Sequence, residues 1–194
     1  MAMDRWGALD RAHVEFETRL LLVRPHDWVR PTPCDAWDVR ALTNHVVGGS
    51  RRYTMLLNGA EADTVNRTRT DDHLGTDPVA SFLTSAADVT AAFREDGALA
   101  RIAHHPLGDC TGEQLLAMRV VDVTVHAWDL ARGLGVAEIL DRDLVEFAHA
   151  HAVVIERGRE RGSFSLPTSP LPPKASRQAR LIHLAGRRIE GVQS

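Results

Sequence analysis

The positions Trp6, Leu9, His13, Phe16, Leu20 and Val23 alternate by three and four, a spacing that only a helix places on one side. Pro25 ends this first helix. The segment WVRPTPCDAW carries two prolines and reads as a loop. After it Asp38 caps a second helix with the inward stripe Val39, Leu42, Val46, Gly49, Tyr53 and Leu56, stopped by Asn58-Gly59. The stretch EADTVNRTRTDDHLGTD has no period and few large apolar residues, which predicts a long, mobile surface loop. Asp77 with Pro78 opens a third helix that runs through Ala91 and Phe93 to near Gly97. Ala100 to Cys110 holds the one stretch expected to be extended, as a short hairpin or an irregular crossover. Thr111 and Gln114 form a capping box for a fourth helix reaching the GLG at Gly133 to Gly135. Asp141 caps a fifth helix through Leu144, Phe147 and Val154, and the proline-rich FSLPTSPLPP leads to a short terminal helix opened by Ser176. There is no internal repeat. These elements predict an all-α, antiparallel helical bundle with one long crossover, a single domain over residues 1–194.

Composition narrows the function classes. A chain of 194 residues is long enough for one proper core, and 44% hydrophobic with 25% charged residues is ordinary for a globular protein. The net charge of -3 gives no electrostatic reason to expect nucleic acid or an anionic membrane as partner. Cys34 and Cys110 form no CxxC pair, and the start MAMDRWGALDRAHVEF lacks the features of an export signal, so a reducing cytoplasm is expected. Charges interrupt every apolar run before the roughly 20 residues of a membrane span, so the expectation is a soluble protein.

The fourth helix carries the chemistry. Arg119, Asp122, His126 and Asp129 lie near one line along it. Leu116, Val120, Val123, Ala127 and Leu130 flank that line on one side, and Val121, Val125 and Trp128 on the other. Such a helix is mostly buried, and a carboxylate and an imidazole on its narrow polar stripe are costly unless paired or bound to a cation. Asp122 and His126, at i and i+4, are spaced for one metal ion. His45 is the best third ligand, mid-helix beside the inward stripe of the second helix, where Gly48 and Gly49 would leave room for a ligand. Two histidines and one carboxylate leave coordination positions open, as catalytic sites do. Asp129 could orient His126 or Trp128 from behind. The plainer reading stands beside this one: Asp122 and His126 as a helix ion pair on a wetted face, and His45 as a core histidine bonded to a carbonyl.

Other residues carry weaker signals. His13, on an apolar stripe, reads as a core or pocket-wall histidine and remains a candidate for supporting a ligand. Arg52 shares a helix face with His45 and could meet an anionic substrate, although exposure is the ordinary state of an arginine. His104 with His105, and His149 with His151, are placed so that neither pair chelates easily, and both are assigned to surface or packing. Cys34 and Cys110 read as small buried residues with no activating base predicted nearby.

The segments WVRPTPCDAWDVRALTNHVV and LLAMRVVDVTVHAWDLARGLG resemble the two signature stretches of the mycothiol-dependent maleylpyruvate isomerase N-terminal family, within the DinB-like superfamily. The closing run from Ala175 to Arg187 resembles the end of a subfamily of small metal-binding proteins in this group. The resemblance implies a DinB-like four-helix bundle with extra C-terminal helices. It also implies a divalent metal, usually Zn2+, held at positions matching His45, Asp122 and His126. Those isomerases place glutamate where this chain has Asp122, a shorter arm that the small subfamily often shares. They also carry an additional C-terminal domain that helps form the active site, and 194 residues leave no room for it after the fifth helix. The resemblance therefore carries over the metal set rather than maleylpyruvate as substrate.

The leading expectation is a thiol-dependent metalloenzyme, an isomerase or S-transferase. Mycothiol or a related low-molecular-weight thiol would add to an electrophilic small molecule, giving S-transfer, or isomerisation when the thiol leaves again. Two other classes stay open: a thiol-independent metalloenzyme, hydrolytic or of Fe(II) type, and a non-catalytic metal-binding protein. A homodimer through an exposed helix face is a further open reading.

Overall fold

The computed structural model describes residues 3–34, 37–160 and 164–189, the Glu160 side chain excepted. The two ends of the domain expected over 1–194, and Asp35 and Ala36 within the PTPCDAW stretch, lie outside the described residues.

Four long helices form the frame: α1 (Arg5–Leu20), α2 (Val39–Leu57), α4 (Pro78–Arg94) and α5 (Gly112–Leu134), with the short α3 (Ala62–Arg67) between the second and third of them. α1 packs chiefly on α5 and α2 on α4, while α2 also meets α5 and α1 meets α4. Each start is chemically marked. Asp4, Asp38 and Asp77 accept from backbone N–H groups at the heads of α1, α2 and α4. At the head of α5, Gln114 N donates to Thr111 Oγ1 at 3.2 Å and Thr111 N to Gln114 Oε1 at 3.0 Å. Gly135 closes α5 with a left-handed φ of 69°.

α5 is the central rod. Leu116, Val120, Val123, Ala127 and Leu130 are buried on one side of its polar line, and Val121, Val125 and Trp128 on the other. α6 (Arg142–Ala150) and α7 (Val153–Glu160) pack on α5, and α8 (Arg177–Leu184) packs on α6. The extended stretch forms a two-stranded antiparallel hairpin, β1 (Ile102–Ala103) with β2 (Cys110–Thr111). No helix among the described residues is long and apolar enough to cross a membrane.

Two expectations are corrected. The stretch predicted as a mobile surface loop contains α3 and a 3-10 turn at Thr68–Thr70, and it is fastened down. Val65 and Leu74 are buried anchors, Asn44 Nδ2 donates to Asp71 O at 2.9 Å, and His73 N donates to Asn44 Oδ1 at 2.7 Å. The fifth helix is also broken in two. α6 ends at Ala150 and α7 restarts at Val153, and between them the His151 ring bonds the Phe147 carbonyl at 2.8 Å and stacks on the Phe147 ring. That break swings Val154 into the wall of the cavity described next.

Candidate metal centre

Three side chains from two helices meet at one carboxylate oxygen. His45 Nε2 from α2 lies 3.5 Å from Asp122 Oδ1, and His126 Nε2 from α5 lies 3.3 Å from the same atom. The two imidazoles meet edge to face, with centroids 4.9 Å apart. Trp37 stacks on His45 at 4.4 Å and leans over His126 at 5.7 Å. It is delivered by the loop before α2, which Thr32 ties through its hydroxyl to Trp37 O at 2.8 Å. Gly133 of α5 lets that loop approach, since a Cβ there would stand 3.2 Å from Thr32 Cγ2.

The other oxygen of Asp122 is already taken. Arg119 Nη1 donates to Oδ2 at 2.7 Å, while Nη2 donates to Val46 O at 2.6 Å and Ser50 Oγ at 2.9 Å. Arg119 is 0% exposed. Gly49 makes its space, because a Cβ there would lie 2.5 Å from Nη1. The neighbouring Gly48 makes room for the His73 ring and for Arg52. The two glycines thus clear space for protein side chains, and Gly49 also lines the cavity above the cluster.

Behind His126, its Nδ1–H donates to Asp129 Oδ2 at 3.0 Å. Asp129 is 0% exposed and is also gripped by Arg187, Nε to Oδ1 at 3.0 Å and Nη2 to Oδ2 at 2.7 Å. Cys34 Sγ lies 3.4 Å from Asp129 Oδ2 and 2.7 Å from Arg187 Nη2. Cys34, read from the sequence as a small buried residue with no activating base nearby, therefore lies against a carboxylate and a guanidinium of this group.

The charges are coupled. Burial opposes ionisation of Asp122, yet the two imidazoles facing it hold its carboxyl well below the usual range. Burial likewise disfavours the His126 cation, but Asp122 and Asp129 on its two nitrogens hold it well above the ordinary value. Burial outweighs Asp122 at His45 and lowers it to about 4. One carboxylate thus retains one proton for two imidazoles, and a divalent cation can replace that proton.

Among the described residues two clusters can hold a metal by proximity: His45 with Asp122 and His126, and Cys34 with His126 and Asp129. The first fits better. Donor atoms about 2.0–2.1 Å from a tetrahedral zinc ion stand about 3.3–3.4 Å apart, close to the separations between each imidazole and Asp122. In the second cluster Arg187 holds both oxygens of Asp129, whereas in the first Arg119 holds only Oδ2 of Asp122.

Above the first cluster lies a cavity of about 100 Å³ walled by Arg52, Tyr53, Arg69, His105, Met118 and Phe164, among others. Arg52 is buried and donates to His45 O at 3.3 Å; burial and the nearby Arg69 lower it to about 10, so it stays charged at neutral pH. Neither Arg52 nor Arg69 has an ion-pair partner among the described residues. His105 turns inward against Tyr53, lowered by burial to about 4, while His104 turns out to Asp109, so the pair divides between packing and surface. His13 packs edge-on against Phe82, and no hydrogen bond, ion pair or ring contact joins it to the cluster or to its supports. The nearby charge of Arg119, which holds Asp122, is what links His13 to the site.

Fold and site together define a helical-bundle protein with an inward-facing cluster of two histidines and one carboxylate. A family profile described as the mycothiol maleylpyruvate isomerase N-terminal domain matches residues 9–131, and the chain belongs to that family. Two uncharacterised proteins of Mycobacterium tuberculosis, from strains CDC 1551 / Oshkosh and H37Rv, are each 30% identical to it over 189 residues, 96% of this chain and 100% of theirs. Among solved structures, the mycothiol-dependent maleylpyruvate isomerase superposes with a TM-score of 0.58 at 18% identity. A histidine-to-alanine mutant of that enzyme superposes with a TM-score of 0.62 at 16% identity. Each match covers 76% of this chain and 68% of the other, and establishes the shared DinB-like fold.

Proposed function

We propose that the protein is a metal-dependent enzyme that activates a low-molecular-weight thiol of the mycothiol type for S-transfer to, or isomerisation of, an electrophilic small molecule. One observation carries the reading: two imidazole nitrogens stand 3.5 and 3.3 Å from a single carboxylate oxygen at the floor of a small cavity. His45, Asp122 and His126 hold the metal, with Zn2+ as its identity. When bound, zinc supplies a Lewis acid that lowers the pKa of a coordinated thiol and keeps it in the nucleophilic thiolate form at neutral pH.

The chain's own residues do the rest. Arg119 fixes Asp122 through the oxygen that faces away from the imidazoles, leaving Oδ1 as the donor. Trp37 covers the His45 ring and excludes water from that side. Arg52 and Arg69 place positive charge on the cavity wall, which favours an electrophile bearing a carboxylate. Burial pushes the Tyr53 phenol up, so it stays protonated and serves as a hydrogen-bond donor. The family membership supports the thiol as co-substrate.

Two measurements test the reading together. Elemental analysis of the purified protein is expected to give one zinc per chain. The zinc-loaded protein is expected to consume carboxylate-bearing electrophiles only when mycothiol is present. Iron in place of zinc, or turnover that ignores the thiol, would redirect the reading to a thiol-independent metalloenzyme.

A further inference from the structure

The innermost support of the site comes from the far end of the described chain. Just past α8 the backbone turns at Gly186, with a left-handed φ of 83°. A side chain there would run into the backbone of Ser165, so the crossing of the two segments requires glycine. The turn sends Arg187 inward, where it is only 7% exposed. Its Nη1 donates to Ala185 O at 2.6 Å, and its guanidinium lies 5.9 Å from the ring centroid of Phe164, a wall of the cavity.

The consequence for His126 is geometric. A carboxylate held through both oxygens by a planar fork cannot rotate freely. Asp129 is held in this way, at 3.0 and 2.7 Å, and it accepts the Nδ1–H of His126 at 3.0 Å. With one proton fixed on Nδ1, Nε2 faces Asp122 Oδ1, and it is this nitrogen that a metal ion would take in place of the second proton.

We propose that Arg187 is a positioning residue for the metal centre: by clamping Asp129 it sets the tautomer and ring angle of His126, and so couples docking of the 177–187 segment to metal binding. The inference rests on the metal set proposed above. An ion pair that only tied down the C-terminal segment would change stability and leave the metal untouched.

The test compares wild type with Arg187→Gln, Arg187→Lys, Asp129→Asn and the Arg187→Gln/Asp129→Asn double variant. The readouts are zinc affinity by chelator competition and the visible absorption of the Co2+-substituted proteins, with thermal unfolding of the metal-free forms as the fold control. Arg187→Gln is expected to weaken zinc binding about tenfold, the lower end of what loss of an outer partner costs, and to alter the Co2+ spectrum. Arg187→Lys keeps the charge without the fork and is expected to fall between. The double variant is expected to lose no more than the worse single one, because both act through the same bond.

Wild-type affinity and spectrum in folded Arg187→Gln, or additive losses in the double variant, would overturn the proposal. Should the glutamine variant not fold, an unchanged Co2+ spectrum in Arg187→Lys overturns it equally. A wild-type protein that takes up no metal removes the proposed function as well, whereas tight wild-type binding with an indifferent Arg187→Gln removes this inference alone.

Discussion

Asp122 and Asp129 stand two turns apart on α5 and face the same imidazole from opposite sides, yet their surroundings differ. Asp129 gives both oxygens to Arg187 and is held at about 2, because that guanidinium and His126 outweigh its burial. Asp122 gives one oxygen to Arg119 and leaves the other between two imidazoles. One carboxylate is saturated by an internal cation and acts as scaffold. Its neighbour keeps one oxygen facing only the two imidazoles, the position from which a carboxylate can serve as a ligand.

The comparison can be broken most severely at the residue both acids share. His126→Ala is expected to leave the purified protein without bound zinc by elemental analysis, a greater loss than the roughly 10–100-fold that outer partners cost. His45→Ala should do nearly the same. Retained stoichiometric metal in either would mean that the ion sits elsewhere.

Next in size is the arginine that half-satisfies Asp122. Arg119→Met strips the donor from Asp122 Oδ2, Val46 O and Ser50 Oγ at once. It should destabilise the metal-free protein by about 3–5 kcal/mol in urea unfolding. Gly49→Ala, which crowds the same guanidinium, should cost about 1–3 kcal/mol.

His13 sharpens the contrast as a buried imidazole with no acid beside it. Burial first, and the nearby Arg119 second, lower it to about 3, and its Nε2 has no hydrogen-bond partner. The folded state keeps it neutral while the unfolded chain takes up a proton below about 6.5. Stability is therefore lost as pH falls from about 6.5 toward 3. His13→Leu should remove that slope, a relative gain of about 2 kcal/mol at pH 5 when urea midpoints at pH 7 and 5 are compared. The smallest effect belongs to the cavity wall: Arg52→Gln should raise KM for carboxylate-bearing electrophiles about tenfold with kcat nearly unchanged.

Local signals explain why the four long helices could be read from the chain. The Thr111 and Gln114 box, the Asp38 and Asp77 caps and Gly135 each act within a turn of the residue they mark. The convergence of His45 with Asp122 and His126 was legible because both helices carry a polar residue inside an otherwise buried stripe. Cys34 and Arg187 were not, since their contact joins positions 153 residues apart and depends on how the tail folds back. α3 escaped because isolated anchors such as Val65 and Leu74 make no period. The break at His151, where the ring bonds the carbonyl one turn back, leaves no mark on the hydrophobic pattern.

Trp37 lies face to face with the imidazole of His45. An open-shell ion such as Co2+ arriving at that ring would drain the excited state of the indole, so its emission dims as the pocket floor fills. Metal binding at the proposed site would thus register in the protein's own emission, and a fluorometer could follow occupancy without added dye.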